Sequence, residues 1–258
     1  LYHGPVGTQG EVFQAAVDYS NDAVMPLLKS TNRVPRQKNI LMIGGRSGGM
    51  LMPFVELGNK CMVVDFNEDA ITYARTLGIS GVAGDYKKIK FDRKFDLVIL
   101  DNVLEHFLSL TDEVPSLSEL LNENGQIFVA VPDAEIFDTI FNFSDARKEF
   151  TLCHSFVFSR QSVIDHMQAL GFFALAFDHR PHPQSLVILF EKRNAPLRSF
   201  SRQVYDRQKS AIARAEVKYW LYKISLLPWL WQNVVPVLKR SRGLTAFYRS
   251  VRSRIVGR

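Results

Sequence analysis

Cysteine is scarce in this chain: Cys61 and Cys153 are the only two among 258 residues. Two thiols cannot build a disulfide framework, and Cys61 sits in a run that reads as a buried strand. Reduced thiols in a cytosolic protein are therefore the expectation. No apolar run reaches the roughly 18 residues that a membrane-spanning helix needs, so an integral membrane protein is not expected. No secretory signal is expected, and a chain that opens on Leu1 rather than Met is expected to be a piece of a longer one. The six histidines are scattered, with no H-x-x-x-H pair, and no metal is expected. Gly45-Arg-Ser-Gly48 is not the G-x-S-x-G of a serine nucleophile elbow. Internal repeats and low-complexity segments are absent too.

What is present is 47% hydrophobic residues, enough for one substantial α/β core with a remainder at the C-terminus. The net charge of +6 hides a division. From Pro196 to Arg258 there are fourteen Lys or Arg against two acids, Asp206 and Glu216, a net of +12. Residues 1–195 then hold eighteen bases and twenty-four acids, a net of −6. A mildly acidic body carries a basic tail.

Apolar spacing predicts a helix over Glu11–Lys29, followed by a polar link from Thr31 to Gln37. Buried strands are expected at Ile40–Ile43, Cys61–Val64, Ile79–Ala83, Phe95–Leu100 and Gln126–Val131. Helices are expected at Ser47–Leu57, from an Asn67 cap to Leu77, at Leu110–Leu121, and from a Ser159 cap to Leu170, where Gly171 ends it. Phe172–Phe177 and Ser185–Glu191 read as a strand pair joined by a turn at Arg180–Pro183. Strand and helix alternate throughout. That pattern implies an α/β fold, one mostly parallel sheet with helices on both faces and an antiparallel finish. Three segments follow: a helical cap at 1–34, the α/β domain at 35–195, and a basic, aromatic, helical extension at 196–258.

The chemistry concentrates at strand ends. Ile40–Ile43 runs into a glycine turn, where Gly44, Gly45 and Gly48 let backbone amides approach a ligand at a helix N-terminus. Such a turn also serves simply to reverse the chain. Arg46 takes the second glycine position of G-x-G-x-x-G, which disfavours a nicotinamide dinucleotide. Asp65 closes the second strand, where a carboxylate can accept ribose hydroxyls or merely cap the next helix. Gly84-Asp85 follows the third strand. Its carboxylate can receive an adenine amine, with Phe66 or Tyr86 covering the ring face. Three loop features so placed are harder to dismiss than any one alone.

Taken with Phe95–Phe107, Leu120–Pro132 and His154-Ser-Phe-Val-Phe-Ser159, these residues resemble a class I S-adenosylmethionine-dependent methyltransferase. The branch resembled includes ubiquinone-biosynthesis and sugar O-methyltransferases, and the likeness covers about residues 35–192. It implies a Rossmann-like, seven-stranded sheet and S-adenosylmethionine as cofactor. It also implies that Gly44, Gly45 and Gly48 surround the methionine part, that Asp65 holds the ribose, and that Asp85 holds the adenine. The loop from Asp101 and Asn102 to His106 would close over the amine and sulfonium. For a hydroxyl acceptor a base must take a proton. His106 and His154 are the candidates, and Asp133 is a weaker one. Two positions depart from the family pattern, which has an acid at Met42 and a glycine at Arg46. These departures leave room for a catalytically silent scaffolding module. The acceptor implied is a glycan or lipid-linked saccharide, or else a quinone-type or other small hydroxylated molecule.

The tail mixes cations with Tyr219, Trp220, Tyr222, Trp229 and Trp231, ahead of Lys239-Arg240-Ser-Arg242. Tryptophans flanked by Lys and Arg suit the interface of an anionic bilayer, a peripheral position at the inner face of the membrane. A helical cap on the sheet, or a contact to a partner domain or subunit, competes with that reading. Nucleic acid is disfavoured, because no recognised module accompanies the charge. Full-length protein is expected to bind anionic vesicles in a salt-sensitive manner, and a chain ending near Asn194 is expected not to. Equal binding by the two in a vesicle sedimentation titration removes the surface-binding idea.

Overall fold

A computed structural model of the chain describes residues 8–134, 154–181 and 184–193, together with Ala213, Arg214 and Val217. The membrane-binding reading of 196–258 thus falls almost wholly outside the described residues, as do Cys153 and His182. Among the described residues, no helix is long and apolar enough to cross a membrane.

Seven strands form one sheet in the order β3-β2-β1-β4-β5-β7-β6. They are β1 (Asn39–Ile43), β2 (Lys60–Asp65), β3 (Ser80–Ala83), β4 (Phe95–Asp101), β5 (Leu121–Pro132), β6 (Phe172–Pro181) and β7 (Gln184–Lys192). Pairings from β3 through β5 are parallel, and β7 runs antiparallel to both β5 and β6. This is the Rossmann-like arrangement expected, with the last strand in sequence as the antiparallel one. The period of two sends alternate residues to two cores. Leu41, Ile43, Val98, Leu100, Ile127 and Val129 meet α5 (Leu110–Leu120) and α6 (Arg160–Ala169) on one face. Ile40, Met42, Val63, Leu97, Ile99 and Phe128 meet residues of α2 (Met25–Ser30), α3 (Met52–Glu56) and α4 (Glu68–Thr76) on the other. Asp96, the polar residue of β4, is accounted for by donors: the Asn39 amide at 2.9 Å and Asn122 Nδ2 at 3.0 Å.

Helix signals in the sequence hold at the caps. Asn67 accepts from the Ala70 amide, Ser159 forms a capping box with Ser162, and Gly171 takes a positive φ of 88°. Three expected boundaries differ. The first helix is α1 (Gln9–Tyr19), followed by a π-helical turn at Ser20–Val24 and then α2. Its widened turn puts the buried Ser20 where its Oγ donates to Met50 O at 2.8 Å. The helix expected from Ser47 is delayed: Gly48 is left-handed, Gly49–Leu51 is a 3-10 turn, and α3 begins only at Met52. Strand β5 starts at Leu121 rather than Gln126. Asn124 adopts φ 57° inside an irregular stretch, and regular pairing with β4 resumes at Gln126. A turn-like dipeptide is here absorbed by a strand.

The link before β1 is held by Asn59, which accepts from the Lys38 amide and donates to Pro35 O and Phe54 O. Buried Glu191 of β7 is paired by Arg33 and Arg193, tying the same link to the far half of the sheet. Cys61 is buried and free, and desolvation pushes its thiol up to about 12, so it is inert as a nucleophile.

Helix α1 packs directly on the turn after β1. A Cβ on Gly49 would lie 2.4 Å from the carbonyl oxygen of Phe13 and 2.9 Å from Ala16 Cβ. Backbone cannot swing aside as a side chain can. Gly49→Ala is therefore expected to cost about 1–3 kcal/mol of stability in a urea titration, as overpacked sites do.

Candidate active site

The strand order reverses between β1 and β4, and their C-terminal tips flank the crevice where α/β sheets hold ligands. Ile43 pairs with Leu100, so Gly44 and Asp101 come next on adjacent strands. A cleft of about 260 Å³ opens there. Its walls are Ile43, Gly44, Val64, Asp65, Phe66, Gly84, Asp85, Tyr86, Lys87, Val103, His106, Phe107, Leu108 and Glu113. Asp65 and Asp85, from consecutive strand tips, both line it.

Asp65 does two jobs at once. Its Oδ2 accepts from the Arg46 amide at 2.7 Å, and its Oδ1 accepts from the Asn67 amide at 2.8 Å. The carboxylate thus pins the glycine turn to the start of α4, and each oxygen keeps a lone pair for a ligand donor. Asp85 behaves alike: Oδ1 accepts from the Lys87 amide at 3.0 Å. Local capping and ligand binding are compatible roles for both.

The glycines divide. Gly44, at φ 69°, lines the cleft, and a Cβ there would strike Val103 Cγ2 at 2.5 Å. Gly45 and Gly48 do not line it. A Cβ on Gly45 would meet Met42 Cγ and Sδ at 2.6 Å, and one on Gly48 would meet Val63 and Ile79. These two glycines make room for core packing beneath the turn. Met42 fills the space under Gly45 and is itself buried. Arg46 is not among the lining residues either, so neither departure from the family pattern plugs the cleft. Arg46 holds a left-handed φ of 49°, and its Nη1 is buried without a hydrogen-bond partner.

The two aromatic candidates separate as well. Phe66 stands at the cleft with 82% of its surface exposed, as a ring awaiting a flat partner would. Tyr86 is buried in the core, tilted against Phe107, and its hydroxyl donates to Glu113 Oε2 at 2.6 Å. Burial and the neighbouring Glu113 carboxylate raise its phenol far above the ordinary range. Tyr86 thus forms a fixed wall, and Phe66 is the ring free to stack. Lys87 donates to the other Glu113 oxygen at 2.6 Å.

Asp101 ends β4, half-buried, and desolvation pushes its carboxyl up to about 7. Asn102 follows in a left-handed conformation. Its amide donates to Ala130 O at 2.9 Å, and its Nδ2 donates to Asp101 Oδ1 at 3.3 Å. Neither residue lines the cleft directly; they shape the neighbouring strand tip.

His106 lies on the cleft wall at the end of a 3-10 turn, Leu104–His106. Folding brings His154 against it, with ring centroids 4.8 Å apart, edge to face. The carbonyl of Glu105 makes that meeting possible by accepting from the amides of Ser155 at 2.8 Å and Phe156 at 3.2 Å. Asp133 is buried at the end of β5, in a parallel bridge with Phe158. Glu105 was not among the expected site residues. Its side chain is 1% exposed, and its carboxylate and the two imidazoles present ligand atoms within 4.8 Å of one another. Sequence spacing showed no such constellation, and folding brings these three groups together. Spacing rules see neighbours in sequence, whereas this group is assembled by the return of a distant segment. The adjacent Glu-His pair was the available signal.

A family model described as a methyltransferase domain matches residues 17–176. No curated protein matches the sequence. Among solved structures the chain is similar to magnesium protoporphyrin IX methyltransferase of Synechocystis PCC 6803 with bound SAH. That match has 14% identity over 74% of this chain and 90% of that one, at a TM-score of 0.53. It is similar too to the N-methyltransferase NodS of Bradyrhizobium japonicum WM9, at 16% identity over 70% and 97%, TM-score 0.51. A protein of Pyrococcus horikoshii OT3 matches at 20% identity over 70% and 92%, TM-score 0.52. These likenesses establish the fold, and the family model covers more than half of the chain. The chain therefore belongs to the methyltransferase domain family, and it shares its fold with a neighbour that binds SAH.

Proposed function

We propose that this methyltransferase is an O-methyltransferase that acts on a hydroxyl of a glycan or lipid-linked saccharide, as in surface polysaccharide biosynthesis. The observation that carries the reading is the convergence of Asp65, Asp85 and His106 on one cleft. The residues present fit the cofactor. Gly44 leaves the backbone open where a Cβ would collide, and Phe66 offers an exposed ring face at the cleft. S-adenosylmethionine supplies a methyl group already activated on a sulfonium.

The chain's own residues then have to bind, orient and exclude water. Asp65 takes the ribose hydroxyls, Asp85 the adenine amine, and Asp101 the ammonium at the adjacent strand tip. Val103, Phe107 and Leu108 form the apolar side of the cleft; Leu108 is 88% exposed and placed to meet the acceptor. Methyl transfer to a hydroxyl releases one proton, which an amine acceptor need not surrender before attack. The imidazoles of His106 and His154 are the groups placed to manage that proton, and this favours a hydroxyl acceptor. The basic, tryptophan-rich extension supports a substrate held at a membrane surface. A quinone-type or other small hydroxylated acceptor fits the same cleft chemistry.

Two outcomes are expected. Asp65→Ala should weaken S-adenosylhomocysteine binding roughly tenfold to a hundredfold in calorimetry, the loss of one or two charge-assisted hydrogen bonds. Wild-type affinity retained in that variant removes the site assignment. The second concerns pH. Asp101 is neutral below about 7 and charged above it, so an ammonium gains its partner only as pH rises. S-adenosylmethionine should bind more tightly at pH 8 than at pH 6, while methylthioadenosine, which lacks the ammonium, shows no such gain. Asp101→Asn should flatten the difference; a slope unchanged in this variant assigns the titration to another group.

A further inference from the structure

We propose that Glu105, His106 and His154 form a binding site for one divalent transition-metal ion, of the zinc or ferrous class, at the wall of the cofactor cleft. Two imidazoles and one carboxylate are a donor set of intermediate softness. Magnesium and calcium prefer all-oxygen cages, whereas zinc and ferrous iron take this combination. The donor atoms lie within 4.8 Å of one another. Around a bound ion, at about 2.1 Å per ligand, they would draw in to roughly 3.4 Å, a contraction that side-chain rotation supplies.

Two features make the group more than a chance encounter. Its parts come from separate segments fastened by backbone: the amides of Ser155 and Phe156 both donate to Glu105 O, so His154 is delivered beside His106 whether or not an ion is present. The carboxylate of Glu105 is 1% exposed, in surroundings of low polarisability where a dication is attracted far more strongly than at the surface. Three protein ligands leave further positions open, the arrangement of a reactive rather than a structural centre.

His106 also lines the cleft, so an open position there faces the space where cofactor and acceptor would meet. The existence of the site is independent of the proposed function, but its role rests on that reading. An acceptor hydroxyl bound to the ion would be acidified and lose its proton to bulk water. The oxygen–methyl bond would form as the sulfur–methyl bond breaks, and the two imidazoles would act on the acceptor's proton through the ion they hold rather than by taking it themselves. The competing reading of the same geometry is a hydrogen-bonded Glu-His pair that orients a base.

Untagged full-length protein stripped with a chelator is titrated with zinc chloride by calorimetry, and with cobalt chloride by visible absorption. One equivalent of each ion is expected to bind, with cobalt bands of low coordination number. Glu105→Gln and His154→Asn are each expected to weaken zinc binding at least tenfold and to abolish those bands. If one variant fails to fold by circular dichroism, the other still decides. Absence of stoichiometric binding in the wild type, or binding unchanged in a folded variant, overturns the site and leaves the orienting pair. Wild-type S-adenosylmethionine binding is measured alongside, and its failure would count against the methyltransferase reading instead.

Discussion

One carboxylate holds the binding side of this protein together. Asp65 receives the amide of Arg46 from the glycine turn and the amide of Asn67 from the start of the next helix. The turn after β1 and the tip of β2 are therefore not two loops that happen to be near each other. They form one rigid lip, closed by charge-assisted hydrogen bonds that are stronger than neutral ones. The cleft takes its shape from that lip on one side and from the strand tips of β1 and β4 on the other. Helix α1 presses on the outer face of the same turn through Gly49, so the N-terminal segment takes part in shaping the binding region.

How far the site could be read from the sequence depends on whether the deciding contact is local. Asp65 and Asp85 were legible because strand, turn and acid follow one another along the chain, and both face the cleft. Gly44 was legible for the same reason. Gly45 and Gly48 look identical to it in sequence, yet the atoms that require them glycine belong to Met42, Val63 and Ile79, beneath the turn. Tyr86 was read as a ring cover alongside Phe66. Position after Gly-Asp cannot tell an aromatic that faces the ligand from one that faces the core. Glu113, on α5, holds the Tyr86 hydroxyl from the core side, while the residue still lines the cleft. The fold itself was nearly complete in the sequence, because short continuous apolar runs alternating with helical spacing leave little ambiguity for a sheet covered on both faces. The boundaries that shifted, at Ser20, Gly49 and Leu121, are places where a tertiary contact or a strand partner overrides local preference.

The histidines illustrate the opposite case. A resemblance could name His106 and His154 separately, but not their edge-to-face contact, nor the buried carboxylate beside them. That grouping depends on the return of residues 154–156 to the Glu105 carbonyl. The candidate site is thus split between a lip built locally, from consecutive strand ends, and a cluster built by long-range closure. The first kind of site tolerates reading from sequence; the second requires the fold.

Strand β7 has a consequence for biogenesis. Among the described residues it is the last strand in sequence, yet it is inserted between β5 and β6, with Leu186 through Phe190 fully buried. During synthesis β5 and β6 emerge first and have no shared edge to pair along. The sheet stays open, with the backbone groups along the facing edges of β5 and β6 unpaired, until residue 192 has cleared the ribosome. Such a chain is expected to lean on chaperones while nascent, since late non-local pairing is slow and leaves sticky edges exposed.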